Sequence, residues 1–120
     1  MVSTAYFDSL RMALGDKHFR FLPLTFILPS EMIGLQDAMV QNPQKSWIVK
    51  PASSSQGKGI FITQDIQEIP GGTQMVVSEY VNNPLLIDGY KFDLRVYVAL
   101  TSINPLRVYI YDDGLARFAT

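Results

Sequence analysis

Two stretches, WIVKPASSSQGKGIFIT from Trp47 to Thr63 and SEYVNNPLLIDGYKFDLRVYV from Ser78 to Val98, decide how this chain is read. In the first, an apolar run ends in Lys50, a Ser/Gly loop follows, and a second apolar run begins at Ile60. In the second, Lys91, Asp93 and Arg95 alternate with Phe92, Leu94 and Val96. Side chains on a strand point alternately to opposite faces, so the three charged groups share one face. Phe92, Leu94, Val96 and Val98 are expected on the other face, in a core. A charged strand face two strands from a loop rich in reachable backbone N–H groups is the pattern of a nucleotide site.

Working outward, residues 3–14 have a weak helical pattern that Gly15 can stop. The segment 18–29, with Pro23 and Pro29, reads as extended, and Ser30 is placed to N-cap a helix to about Val40 that ends before Asn42-Pro43. Ser46–Lys50 and Gly59–Thr63 read as antiparallel strands, and Met75–Val81 as a further strand. Residues 82–89 read as a loop. Lys91–Thr101 reads as the longest strand, followed by Leu106–Tyr111 and Leu115–Ala119 in a meander turned at Asn104-Pro105 and Asp112-Asp113-Gly114. The pattern is α+β, mainly antiparallel sheet with a few helices.

The composition narrows the function. With 120 residues and 48% hydrophobic content, one folded domain is expected. A net charge of −1 provides no electrostatic footprint for nucleic acid or an anionic membrane. There is no cysteine, which removes disulfides, thiol nucleophiles and thiolate metal sites. His18 is the only histidine, so histidine dyads and histidine metal sites are not expected, and it reads as a surface or packing residue. No apolar run approaches the roughly 18 residues of a membrane span, and the first 18 residues lack the apolar stretch of a signal peptide.

Each candidate group has a plainer reading beside the functional one. Ser53, Ser54, Ser55, Gly57 and Gly59 can cradle a phosphate, yet Ser/Gly loops are more often simple hairpin connections. The loop is not a Walker A motif, because Gly59 stands where Ser or Thr should follow Lys58. Lys50 either snorkels to water or meets an anion, and the adjacent loop favours the anion. Lys58 reads as solvated. Lys91, Asp93 and Arg95 could equally form a wet face, since exposed ion pairs on sheets contribute only ~0.2–1 kcal/mol. Arg117 has the same alternative. Trp47 reads as core, and Tyr97, Tyr109 and Tyr111 as sheet packing.

Taken in order, the Lys50–Ile60 block, SEYV, KFDLR and DDGLARFAT resemble the central part of a tubulin tyrosine ligase-like enzyme, and within that family the polyglutamylase branch. The resemblance spans about residues 19–120. It implies a partial ATP-grasp-like fold with ATP between two β-rich lobes. It also implies a ligase that phosphorylates a glutamate side chain of a tubulin tail and lets the amine of free L-glutamate attack the acyl phosphate. By similarity, Lys50 contacts the phosphates, Gln56, Gly57 and Lys58 belong to the loop over them, and Ser78, Glu79, Tyr80 and Val81 lie at the adenine edge, largely through backbone groups. Lys91 and Asp93 then contact the nucleotide, Arg117 binds the carboxylate of the incoming glutamate, and Arg95 supports the phosphate or acceptor side.

The family's Mg2+ ligands lie in a later acidic segment, and nothing here matches it; Asp112 and Asp113 sit in a turn. The family's basic tubulin-contacting regions have no counterpart either. The chain stops at Thr120 directly after the strand-like LARFA, so a piece of a larger protein, inactive alone, is expected. The implied partners are tubulin or microtubules and free L-glutamate, without nucleic acid or membrane. The implied setting is the cytoplasm and cytoskeleton, with the cilium or basal body included. The alternative is a non-catalytic nucleotide-binding or microtubule-associated module. Neutral Gln56, at a loop position that is often Arg or Gln in the family, leans the expectation towards chain elongation.

Overall fold

The computed structural model describes residues 4–52 and 58–119. The chain forms two compact units, residues 1–82 and 83–120.

The first unit holds α1 (Thr4–Leu14), β1 (Thr25–Leu28), α2 (Met32–Gln41), β2 (Trp47–Pro51), β3 (Phe61–Thr63) and β4 (Met75–Glu79). The strands form one antiparallel sheet in the order β1-β4-β2-β3. The expected pairing of the two strands flanking the Ser/Gly loop is present, with Ile48 opposite Ile62. β4 enters between β1 and β2, which places Val77 beside both Phe26 and Val49.

One face of this sheet makes the core. Leu28, Trp47, Val49, Met75 and Val77 point to it and meet Leu35 and Met39 of α2, and Trp47 is 1% exposed, as its core reading required. Fully burying such a side chain contributes about 1.5–3 kcal/mol. α2 lies close enough to β1 that a Cβ on Gly34 would stand 3.3 Å from the Phe26 ring. The entry to α2 differs from expectation. Glu31 occupies the N-cap without a side-chain cap, while Ser30 Oγ donates to the Ile27 carbonyl and the Glu31 carboxylate accepts from the Ile27 N–H. The turn after Pro29 directs both side chains back to β1. The helix ends at Asn42 as expected, with Asn42 Nδ2 donating to the Ala38 carbonyl at 3.0 Å.

The second unit holds β5 (Leu86–Ile87), β6 (Tyr90–Arg95), β7 (Val98–Ile103), β8 (Leu106–Ile110) and β9 (Leu115–Phe118). Four corrections arise here. The expected loop 82–89 contains β5, joined to β6 by an Asp88-Gly89 turn in which both residues have positive φ, 52° and 80°. That is the backbone a two-residue hairpin turn demands. The expected single strand Lys91–Thr101 is split after Arg95, because the chain changes partner there: β6 pairs with β9, and β7 with β8. The last strands are therefore not a meander, since β9 returns to β6. Finally, the apolar alternation does not enter a core. Phe92 is half-buried against Phe118 at a ring distance of 6.1 Å, but Leu94, Val96 and Val98 are exposed. The unit's sheets have two and three strands, and no second layer covers these residues among those described.

Candidate functional site

In the first unit, Lys50 sits next to last in β2, opposite Val76 of β4. Trp47 and Val49 are buried towards α2, so strand alternation puts Ile48 and Lys50 on the opposite face. Register adds Ile27, Thr25, Val76, Ser78 and Ile62 to that face. Ile27, Ile62 and Lys50 are exposed and the others half-buried. The result is an apolar floor with a lysine at one end and a Thr25–Ser78 hydroxyl pair, 3.0 Å apart, towards the other. The Ser/Gly loop opens from the lysine end; Ser53, Ser54, Ser55, Gln56 and Gly57 lie outside the described residues. Lys58 is exposed in the turn before β3.

The segment Ser78–Val81 closes β4 and runs two residues beyond it. β4 is an interior strand, and its closing amides are engaged by protein: Glu79 N–H donates to the Leu24 carbonyl and Tyr80 N–H to the Ser46 carbonyl, both at 2.8 Å. The Glu79 carboxylate pairs with Lys45 at 2.9 Å. A base read by this segment must use backbone groups other than those two amides. Val81, just beyond the strand, is 52% exposed.

In the second unit, the in-register pairing of β6 and β9 sets Asp93 opposite Arg117 and Arg95 opposite Leu115. Lys91, Asp93, Arg95 and Arg117 therefore share a face, while Phe92 and Phe118 stack on the other. Arg117 and Asp93 form a bidentate pair, Nε to Oδ1 at 2.7 Å and Nη2 to Oδ2 at 2.9 Å. The hydrogen bonds and charge of Asp93 raise the pKa of Arg117 above its already high ordinary value, so the guanidinium stays charged. A depression of about 360 Å³ lies beside the pair, lined by Lys91, Phe92, Asp93, Arg117, Phe118 and Ala119.

Asp93 and Arg117, read from sequence as touching different ligands, thus touch each other. Lone residues 24 positions apart carry no sign of this; only the strand register brings them together. Gly114 was also missed as more than a turn residue. It lies against the carbonyl of Arg95, so close that no side chain fits. No cluster of three or more His, Asp or Glu side chains able to hold a metal occurs among the described residues.

Residues 3–120 match the tubulin-tyrosine ligase family. The chain belongs to that family. Among relatives within it, tubulin polyglutamylase TTLL6 of Homo sapiens is 50% identical over 112 residues, covering 93% of this chain and 13% of the relative. Tubulin polyglutamylase TTLL13 of Homo sapiens is 47% identical over 107 residues, covering 89% of this chain and 13% of the relative. This member of the family thus spans about an eighth of the length of such relatives, and within the family it is similar to polyglutamylases. A solved structure, the C-terminal domain of K. lactis Pby1, described as an ATP-grasp enzyme interacting with the mRNA decapping enzyme Dcp2, superposes with a TM-score of 0.60 at 25% identity, covering 99% of this chain and 39% of that one. The tubulin-tyrosine ligase family chain accordingly has a partial ATP-grasp-like α+β fold, as its sequence suggested. No helix among its described residues is long and apolar enough to cross a membrane.

Proposed function

We propose that this chain is the nucleotide-handling part of an ATP-dependent protein–glutamate ligase acting on acidic tubulin tails. The observation that carries the reading is the open face of the first unit's sheet, where Lys50 projects beside an apolar floor of Ile27, Ile48, Ile62 and Val76. An aromatic base needs such a floor, and a phosphate needs such a cation. Lys50 pairs with Val76, four residues before Tyr80. At ~3.4 Å per residue this separates them by about 14 Å, a span suited to a base at one end of a nucleoside triphosphate and phosphates at the other.

In this reading Lys50 holds phosphate oxygens, and the loop containing Gln56, Gly57 and Lys58 closes over them. Backbone groups near Ser78, Glu79, Tyr80 and Val81 read the base. Lys91 contacts the nucleotide, Arg95 steadies charge on the phosphate or acceptor side, and Arg117 binds a carboxylate of free L-glutamate. ATP supplies the phosphoryl group that turns the acceptor carboxylate into an acyl phosphate open to attack by the glutamate amine. The described residues offer no cluster suited to Mg2+, so none of them is assigned to a metal. Cytoskeletal placement follows from the tubulin substrate in this reading.

The test is transfer of isotopically labelled glutamate to microtubules by the full-length protein with ATP. Label in tubulin tails, dependent on ATP, is the expected result. ATP binding without transfer to any acidic acceptor would instead favour a non-catalytic nucleotide-binding module.

A further inference from the structure

The hydroxyls of Thr25 and Ser78 meet at 3.0 Å on the open face of the first unit's sheet, because the β1–β4 register sets the two residues opposite each other. Thr25 Oγ1 also donates to the Pro23 carbonyl at 3.1 Å. A hydroxyl carries one hydrogen and two lone pairs, and a carbonyl oxygen only accepts. The hydrogen of Thr25 is therefore committed to Pro23, and the hydrogen between the two hydroxyls belongs to Ser78. The donors run from Ser78 to Thr25 to Pro23, which leaves Ser78 Oγ with lone pairs only. No other side-chain hydrogen bond engages Ser78 Oγ among the described residues. Polarity matters at this place. Both residues are half-buried, and Ser78 shares a face with Lys50, two residues beyond Val76 and two before Tyr80. In the nucleotide reading this is the base end of the floor. A fixed acceptor there attracts a donor and repels another acceptor. Adenine presents an exocyclic amine where guanine presents an oxygen.

We propose that Thr25 is a positioning residue for base selection: by taking the hydrogen of Ser78, it turns the Ser78 hydroxyl into an oriented acceptor that favours a 6-amino purine over a 6-oxo purine. The inference rests on the reading that the open face of this sheet receives a nucleotide, and it adds a side-chain contact to the backbone contacts of that segment.

Direct titration of the full-length protein with ATP and with ITP, which carries an oxygen in place of the amine, tests it. The unaltered protein should prefer ATP. Thr25→Val keeps the shape and removes the hydroxyl, which frees the Ser78 hydrogen to serve a 6-oxo group. The preference for ATP over ITP should fall by about 3- to 10-fold, the worth of one neutral hydrogen bond. Thr25→Ser, which keeps the hydroxyl, should restore it. Ser78→Ala should lower the preference too, and adding Thr25→Val to Ser78→Ala should lower it no further, because Thr25 acts through Ser78. Thr25→Ala carries the same test should Thr25→Val not fold. A preference kept in Thr25→Val overturns the inference and leaves the hydroxyl pair as a tie between β1 and β4, whether or not both affinities fall together. Equal binding of ATP and ITP by the unaltered protein also overturns the inference alone. An unaltered protein that binds neither nucleotide overturns the underlying reading as well.

Discussion

A methyl group added at Gly114 would stand 2.5 Å from the carbonyl oxygen of Arg95, half an ångström inside the 3.0 Å that Cβ atoms respect. The neighbour is backbone and cannot rotate away. Gly114→Ala must therefore push the start of β9 from the end of β6, at the Arg95–Leu115 pair, two residues from the Asp93–Arg117 contact. Forced overpacking of this kind costs about 1–3 kcal/mol. Expressed as local opening, that corresponds to a loss of about 5- to 150-fold in amide hydrogen-exchange protection. The amides to follow are those of the β6–β9 ladder and Ala119, whose N–H donates to the Lys91 carbonyl at 2.8 Å. Amides shared by β2 and β4 serve as an internal reference, because they belong to the other unit. The expected outcome in the full-length protein is a selective drop in β6–β9 protection together with a higher KM for glutamate. Unchanged protection would refute the close approach of Gly114 to Arg95 and the register built on it. Lost protection with an unchanged KM would refute the link between that register and amino-acid binding.

Other substitutions separate the remaining roles. Lys50→Ala should weaken ATP binding by ~1.5–3 kcal/mol, about 10- to 150-fold, read by direct titration; unaltered affinity would remove Lys50 from the phosphate role. Leu35→Ala, at a side chain 0% exposed in the α2 interface, should cost about 2–5 kcal/mol in denaturant unfolding of the first unit, and a loss under ~1 kcal/mol would contradict the packing of α2 on the sheet. Arg95→Ala should depress turnover strongly while shifting thermal stability by no more than ~0.5 kcal/mol, since the residue is exposed; equal turnover would return this strand face to a solvated ladder.

Much of the first unit can be read without coordinates. The apolar runs either side of the Ser/Gly loop are adjacent in sequence, so their pairing is a local event, and α2 ends where Asn42-Pro43 says it should. The alternation Trp47–Lys50 already separates a core face from a face that can meet an anion. The family blocks, being ordered and short, carry the ATP-grasp-like fold in the same way. The Asp88-Gly89 turn was legible too, since Asp-Gly between apolar pairs favours positive φ at both positions, although the loop reading passed over it.

What the tertiary structure alone decided are the non-local pairings. Nothing along the chain says that β4 enters between β1 and β2, or that β9 returns to β6 while β7 and β8 pair with each other. Backbone hydrogen bonds are the same whichever strand supplies them, so a smooth alternation from Lys91 to Thr101 carries no mark of the partner change after Arg95. The same indifference conceals the Asp93–Arg117 contact, which exists because one register sets those residues opposite each other. Residue types and their spacing determined which groups could do chemistry here; the register of distant strands decided which of them meet.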